Sequence, residues 1–240
     1  MSTSVAVLGA RGRMGTLVCG LLDQTPGVAC VASVGRGQIA PACFNGASVV
    51  IDFSLPTALE MAIPFLDGAA LVSGTTGLSA TQQAHVDALS THSAVLQAAN
   101  FSLGVNLLLE LVSRAAAALP DYDIEIVEAH HKHKRDAPSG TALALAQAAA
   151  DARGVDLHSV VVHGRSGHVL ERPAGQIGIH AIRAGAIVGE HQVWFCTERE
   201  RIGMHHLAQD RGLFAQGAIR AASWISGRPA GRYTMKMLLD

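Results

Sequence analysis

The first hundred residues alternate short apolar runs with stretches of helical periodicity. Residues 4–8 (SVAVL) form an apolar run that predicts a buried strand. Gly9, Gly12 and Gly15 follow, and helical periodicity then continues to about Leu22. Gly27 turns the chain into a second strand, 29–34, after which 48–52, 69–73 and 93–97 read as three more. Residues 56–65 predict a helix, and Ser79 with Gln82 makes the capping-box pattern for the next one. Strands and helices in alternation predict an α/β unit with a doubly wound parallel sheet.

The second half has a different rhythm. Residues 103–119 predict a long helix closed by Pro120-Asp121, and 122–129 a strand that delivers His130 at its end. A helix over 141–152 follows, with Ser139 as N-cap and Gly154 as C-cap. Beyond Val160, the segments 160–162, 177–183, 187–195 and 200–207 read as strands joined by short glycine or charged turns. They predict a small mixed or antiparallel sheet, four strands with one helix. His205-His206 reads as one inward and one outward strand side chain. Residues 211–225 return to helical periodicity.

Composition narrows the classes. The 240 residues suffice for one large or two small domains, and with 49% hydrophobic and 15% charged residues a sizeable core is expected. A net charge of −1 offers no basic face to nucleic acid or an anionic membrane. Aromatic content of 4% argues against base stacking. No apolar run reaches ~18 residues, so no membrane span is expected. MSTSVAVLGARGRMG lacks a basic segment ahead of a long apolar one, so no signal peptide is expected. Cys19, Cys30, Cys43 and Cys196 form no C-x-x-C pair and read as reduced thiols of a cytoplasmic enzyme.

Two stretches carry candidate chemistry. Strand, glycine turn and helix around Gly9 to Gly15 is the arrangement that seats a pyrophosphate on a helix N-terminus. The spacing G-x-x-G-x-x-G departs from G-x-G-x-x-G, and a plain strand-to-helix turn is the competing reading. Arg11 and Arg13 favour phosphate. The second stretch is 128–145, EAHHKHKRDAPSGTALAL. His130, His131, His133, Lys134 and Arg135 precede Asp136-Ala137-Pro138, and Pro138 tends to end what comes before it. Ser139 caps a helix whose first amides, those of Gly140 and Thr141, lie at the positive end of its dipole, which suits a carboxylate or phosphate. Gly140 allows close approach, and Lys134 adds a charge. The competing readings are a solvated histidine loop with an ordinary cap, and a metal site. Adjacent His130 and His131 would face opposite ways on a strand, and H-x-x-x-H spacing and a Cys partner are missing, so no metal is expected.

The pattern E-A-H-H-x-x-K-x-D-A-P-S-G-T-A resembles the signature of the 4-hydroxy-tetrahydrodipicolinate (dihydrodipicolinate) reductase family, with Lys132-His133 and Arg135 as spacers. GARGRMG resembles that family's cofactor loop, and RAGAIVGEH, 183–191, part of its second domain. The resemblance thus covers nearly the whole chain. It implies a Rossmann-type domain of residues 1–101 completed by 208–240. It also implies a smaller α+β domain, 102–207, for substrate binding and oligomerisation as a homotetramer. The implied reaction, in diaminopimelate and lysine biosynthesis, is NAD(P)H-dependent. 4-Hydroxy-tetrahydrodipicolinate loses water, and the resulting dihydrodipicolinate is reduced to tetrahydrodipicolinate. On this resemblance His130 and Lys134 are catalytic, while His131, Ser139, Gly140 and Thr141 hold the dicarboxylate. Gly9, Ala10, Arg11, Gly12, Arg13, Met14, Arg36, Gly74, Thr75, Thr76, Ala98, Ala99, Asn100 and Phe101 contact the cofactor.

One position departs from the family's pattern. Members often carry Glu-Arg at the end of the second strand, where this chain has Gly35-Arg36. The carboxylate that would bond the ribose and repel a 2′-phosphate is missing, and Arg36 remains to pair with that phosphate. The expectation is use of both cofactors, with NADPH preferred over NADH. Two other classes compete on the same residues. Another two-domain dehydrogenase would lack the H-H-x-x-K-x-D-A-P-S-G-T run. A dinucleotide-sensing regulator would show a DNA-binding helix pair and a basic face.

Overall fold

The apolar runs of the first hundred residues become five parallel strands: β1 (Thr3–Leu8), β2 (Val28–Val34), β3 (Val49–Asp52), β4 (Ala70–Ser73) and β5 (Ala94–Gln97). Helices α1 (Arg13–Leu22), α2 (Pro56–Ala62) and α3 (Ala80–Leu89) connect them. The computed structural model describes every residue except Met1, Arg36, Asp67 and Val169. Alternation along a strand sends Val5 and Val7 to one face of the sheet, and Ala6 and Leu8 to the other. Both faces are covered, which is why these strands read as continuous apolar runs. The capping box of α3 forms both ways, with Gln82 N donating to Ser79 Oγ (3.2 Å) and Ser79 N to Gln82 Oε1 (3.0 Å).

By contact density the chain divides into two units, Met1–Leu103 with Arg211–Asp240, and Gly104–Asp210. Within the first, α7 (Gly212–Ile225) buries Ala215, Ala218, Ala222 and Ile225 against the sheet. The chain then adds a sixth strand, β11 (Gly231–Tyr233), parallel to β5, and ends in α8 (Met235–Leu239). Periodicity cannot reveal β11, because three residues, Gly-Arg-Tyr, carry no pattern. The sheet order is β11-β5-β4-β3-β1-β2.

The second unit contains α4, which spans Leu103–Ala118 and so starts at the boundary, then β6 (Asp123–His130), α5 (Gly140–Ala152), α6 (Leu157–Val160), β7 (Val161–His163), β8 (Ile177–Arg183), β9 (Gly189–Cys196) and β10 (Arg201–Ala208). Its sheet is mixed, as expected, but has five strands in the order β10-β9-β6-β8-β7. The expectation of four strands and one helix is corrected. β6 joins at the centre, parallel to β8 and antiparallel to β9, and α4 packs beside α5. Ile124, Ile126, Ile179, Val193 and Phe195 meet Leu108, Val112, Leu145 and Ala149 in one core. β9 starts two residues later than its apolar run, after the turn at Gly185 (φ +47).

Candidate active site

In the first unit, β2 and β3 lie on opposite sides of β1, so the strand order reverses there. Open α/β sheets bind ligands at the carboxyl ends of strands at such a reversal. Gly9 follows β1 with φ +82, and a Cβ on it would lie 2.5 Å from Phe53 O. A Cβ on Gly15 would lie 2.1 Å from Gly9 O. Gly12 is the N-cap of α1 and brings no side-chain cap. The glycines therefore fold the loop tightly against β3 and leave the start of a ten-residue helix without a side chain over its amides. This is a cradle that side chains would fill, and its dipole suits a pyrophosphate. A cleft of about 710 Å³ adjoins it, lined by Gly9, Arg11, Gly35, Leu55 and Met61 among others.

The neighbouring loops are tied by Asp52, which is 0% exposed. Its Oδ1 accepts from Ser54 N (2.9 Å) and Ser54 Oγ, and its Oδ2 from Ser73 Oγ (2.7 Å). Ser54 N also donates to Thr75 Oγ1 (3.2 Å), turning that hydroxyl inward. Burial pushes the Asp52 carboxyl up, against the lowering effect of Ser54 and Ser73. Gly74 is pressed on Phe53, where a Cβ would lie 2.3 Å from the ring.

The residues assigned to the cofactor fall into two groups. Arg11, Gly12, Arg13, Thr76 and Ala99 are exposed, and Gly9, Ala10, Gly74, Ala98 and Asn100 half-buried. Met14 packs partly on the core, and Asn100 Oδ1 accepts from Ser102 N (2.8 Å). Phe101, by contrast, is 2% exposed and meets Phe53 edge to face at 5.6 Å. Its ring belongs to the core, because Phe53 and Phe101 together back Gly74. Arg36 lies outside the described residues. Arg11 takes up the space beside Gly35, where a Cβ would be 3.0 Å from its Nε.

The second site gathers at the end of β6. Glu128 occupies an inward position after Ile124 and Ile126 and is 0% exposed. Its Oε1 accepts from Ser139 N (2.9 Å) and Arg183 Nη2 (2.7 Å). Its Oε2 pairs with His130 Nδ1 (2.6 Å) and Arg183 Nη1 (2.8 Å). Burial alone would raise the Glu128 pKa, but Arg183, His130 and the Ser139 amide together hold it below the usual carboxylate value. Arg183 Nη2 also donates to Asp136 O (2.7 Å), anchoring the loop that carries Lys134. Lys134 Nζ binds both Asp136 oxygens, at 2.9 and 2.8 Å.

Ser139 caps α5 as expected, accepting from Ala142 N (3.1 Å). It is 2% exposed, and its Oγ also meets His191 Nε2 at 3.1 Å. The assignment of Ser139 as a substrate ligand is therefore revised, since its hydroxyl is committed to the cap and to His191. Gly140, on the surface, has open space where a Cβ would stand. Thr141 and His131 are half-buried, and the His131 ring stands 6.3 Å from that of His133.

Glu128, Arg183 and His191 were missed as site residues. His191 is 4% exposed and its ring packs edge to face on His130 at 5.3 Å. Burial, then the charge of His130, pushes its pKa down from 6.5 to about 4. Its Nδ1 is buried with no hydrogen-bond partner among the described residues. A signal existed for both carboxylate and imidazole. Glu128 follows Ile124 and Ile126, and His191 precedes Val193 and Phe195, each at the apolar parity of its strand.

A nucleotide-type loop at a sheet reversal, joined in one chain to a mixed-sheet unit bearing a histidine–carboxylate cluster, defines a two-part α/β oxidoreductase. Residues 3–101 match the family model described as "Dihydrodipicolinate reductase, N-terminus", and residues 104–239 that described as "Dihydrodipicolinate reductase, C-terminus". The chain belongs to the dihydrodipicolinate reductase family. It is 44% identical to 4-hydroxy-tetrahydrodipicolinate reductase of Halorhodospira halophila, over 100% of this chain and 99% of that one. To the protein of the same name from Caulobacter vibrioides it is 45% identical, over 98% and 96%. Its fold is like that of the dipicolinate-bound dihydrodipicolinate reductase of Paenisporosarcina sp. TG-14, with a TM-score of 0.77, 23% identity and 98% of each chain covered. No helix among the described residues is long and apolar enough to cross a membrane.

Proposed function

We propose that this chain reduces 4-hydroxy-tetrahydrodipicolinate, by way of dihydrodipicolinate, to tetrahydrodipicolinate in diaminopimelate and lysine biosynthesis, using NAD(P)H. The observation that carries the proposal is the folding of the E-A-H-H-x-x-K-x-D-A-P-S-G-T segment around one buried carboxylate, with His130, Lys134 and the start of α5 in one cluster. The reduced nicotinamide supplies a hydride when bound. The glycine cradle at α1 would hold its pyrophosphate, and Leu55, Ala58 and Met61, which line the adjoining cleft, would offer an apolar wall to the base.

The second unit holds the dicarboxylate. The amides of Gly140 and Thr141, the Thr141 hydroxyl and His131 anchor one carboxylate. Gly140 has no left-handed φ, and no neighbour among the described residues would forbid a side chain there, so the position stands open to close approach by a ligand. Adding hydride to the conjugated ring leaves an electron-rich carbon that must take a proton. Lys134 delivers it, exchanging its contact with Asp136 for one with the substrate, and His130 acts as acid/base. A positioned acid is worth ~10²–10⁴-fold.

NADPH is the preferred cofactor, with NADH also used. Arg11 beside Gly35 supports this, because the position where a ribose-binding carboxylate would stand is bordered by a cation and by the neutral Gln38 amide. The enzyme works as a homotetramer in the cytoplasm. The outer face of the second sheet, with Ile182 and Leu207 about half exposed, supports association through that sheet. The deciding experiment follows nicotinamide oxidation by the purified protein with aspartate semialdehyde, pyruvate and the preceding synthase. Turnover only with all three present supports the proposal, and its absence refutes it.

A further inference from the structure

The buried carboxylate of Glu128 is saturated. Four donors reach it from three directions: His130 on its own strand, Arg183 on β8 through two nitrogens, and the Ser139 amide at the start of α5. Four is about the number of lone-pair sites a carboxylate has. With Nδ1 bound to an acceptor-only group, a neutral His130 must carry its proton there, and Nε2 is left as the basic nitrogen. On β9, Gly189 faces that nitrogen, where a Cβ would stand 3.1 Å from it. The Gly189 φ is not in the left-handed region, so the backbone gives no reason for glycine. The reason is the imidazole.

We propose that Glu128 is a positioning residue that acts through His130. It confines the imidazole proton to Nδ1 and presents Nε2 beside Gly189, where the missing side chain keeps that nitrogen approachable. The inference rests on the proton-handling role given to His130 above. Arg183 neutralises the carboxylate so that it stays ionised while buried.

The test uses the full-length chain in three single variants and one double variant, with ¹⁵N-labelled histidine to read the tautomer. In the parent, neutral His130 should carry its proton on Nδ1. In Glu128→Gln the tautomers should mix, and kcat should fall by about 10²-fold with the KM for the dicarboxylate changed less than threefold. Glu128→Gln combined with His130→Gln should be no slower than His130→Gln alone, because the two act as a unit. Gly189→Ala lies outside the carboxylate network and keeps the proposal open to refutation if Glu128→Gln fails to fold. It should lower kcat about tenfold and leave the cofactor KM unchanged.

An unchanged tautomer in Glu128→Gln overturns the proposal, and so does an equal loss of kcat in the parent and His130→Gln backgrounds. Either would assign Glu128 to the scaffold of Arg183 and Ser139. Normal turnover of Gly189→Ala also overturns the proposal, because an approachable Nε2 beside Gly189 is what the carboxylate is proposed to present. Near-normal turnover of His130→Gln refutes the catalytic role of His130 itself, and the tautomer spectrum then still decides whether Glu128 holds the ring.

Discussion

Arg11 lies against Gly35, with its Nε 3.0 Å and its Cδ 3.1 Å from where a Cβ of residue 35 would stand. Gln38 Oε1, which accepts from Gly35 N, is nearer still to that point at 2.9 Å, so a side chain at residue 35 requires the Gln38 amide to shift and Arg11 to give by a few tenths of an ångström. A carboxylate placed there would pair with Arg11 and cancel the charge offered to a 2′-phosphate. Gly35→Glu should lower the NADPH-to-NADH ratio of kcat/KM by about tenfold or more, because the new carboxylate both removes one charge-assisted contact and repels the 2′-phosphate. Arg11→Ala and Arg36→Ala should each lower it less. Steady-state kinetics at matched low ionic strength give the ratios; a parent that prefers NADH severalfold would reject the NADPH preference, and an unchanged ratio in all three variants would show that these residues do not read the 2′-phosphate.

Lys134→Ala should cut kcat steeply and raise KM, because one charge serves both proton delivery and carboxylate binding. Asp136→Asn frees Lys134 from its bidentate partner. It should lower KM or leave it unchanged while retaining most of kcat. A collapse of kcat in Asp136→Asn would show that the ion pair, not the free lysine, is the working group.

Asp52 joins the loops after β3 and β4 from a fully buried position. Asp52→Ala should destabilise the chain by about 2–4 kcal/mol, since the Ser54 and Ser73 hydroxyls lose their carboxylate acceptor and the Ser54 amide is left with Thr75 Oγ1 alone. Asp52→Asn should cost no more than about 1 kcal/mol, because the Ser73 hydroxyl can turn to accept from the new amide and a buried charge is removed. Urea midpoints measure both. Equal losses would mean that the charge itself is needed.

His191 makes stability fall in acid. Its pKa lies at about 4 in the folded chain against 6.5 unperturbed, so between these values the unfolded chain binds the proton and the folded one does not. The contribution is complete above pH 6.5 and is lost as pH falls towards 4, roughly 3 kcal/mol in all. The Glu125 carboxyl, whose pKa Arg165, His180 and Arg172 hold down at about 2 against the opposing effect of burial, adds a loss only below 4.5. Comparing His191→Gln with the parent between pH 4.5 and 6.5 isolates the histidine. The variant should show the shallower slope, and identical slopes would contradict the buried neutral imidazole.

Much of the fold was legible because it depends on near neighbours. The apolar runs that became β1 and β3, the Ser79–Gln82 box and the Ser139 cap each involve residues within one or two turns. Among the described residues β11, α6 and α8 escaped because they are too short to show a period, and the central place of β6 escaped because it is defined by partners distant in sequence.

The sequence by itself determined the periodicities, the glycine turn, the helix caps and the order of chemical groups in 128–145. Steric and hydrogen-bonding preferences over a few residues settle those. It also determined that a carboxylate and a histidine stand at inward parity on two strands. The tertiary structure alone decided what those groups meet. Glu128 is 55 residues from Arg183, and Ser139 is 52 from His191, and no local preference links them. The register of β6 between β8 and β9 sets Glu128 across from His191 and His130 across from Arg183. Burial then allows a charge to remain only where donors converge on it, and that requirement gave Glu128 its four bonds and left His191 neutral.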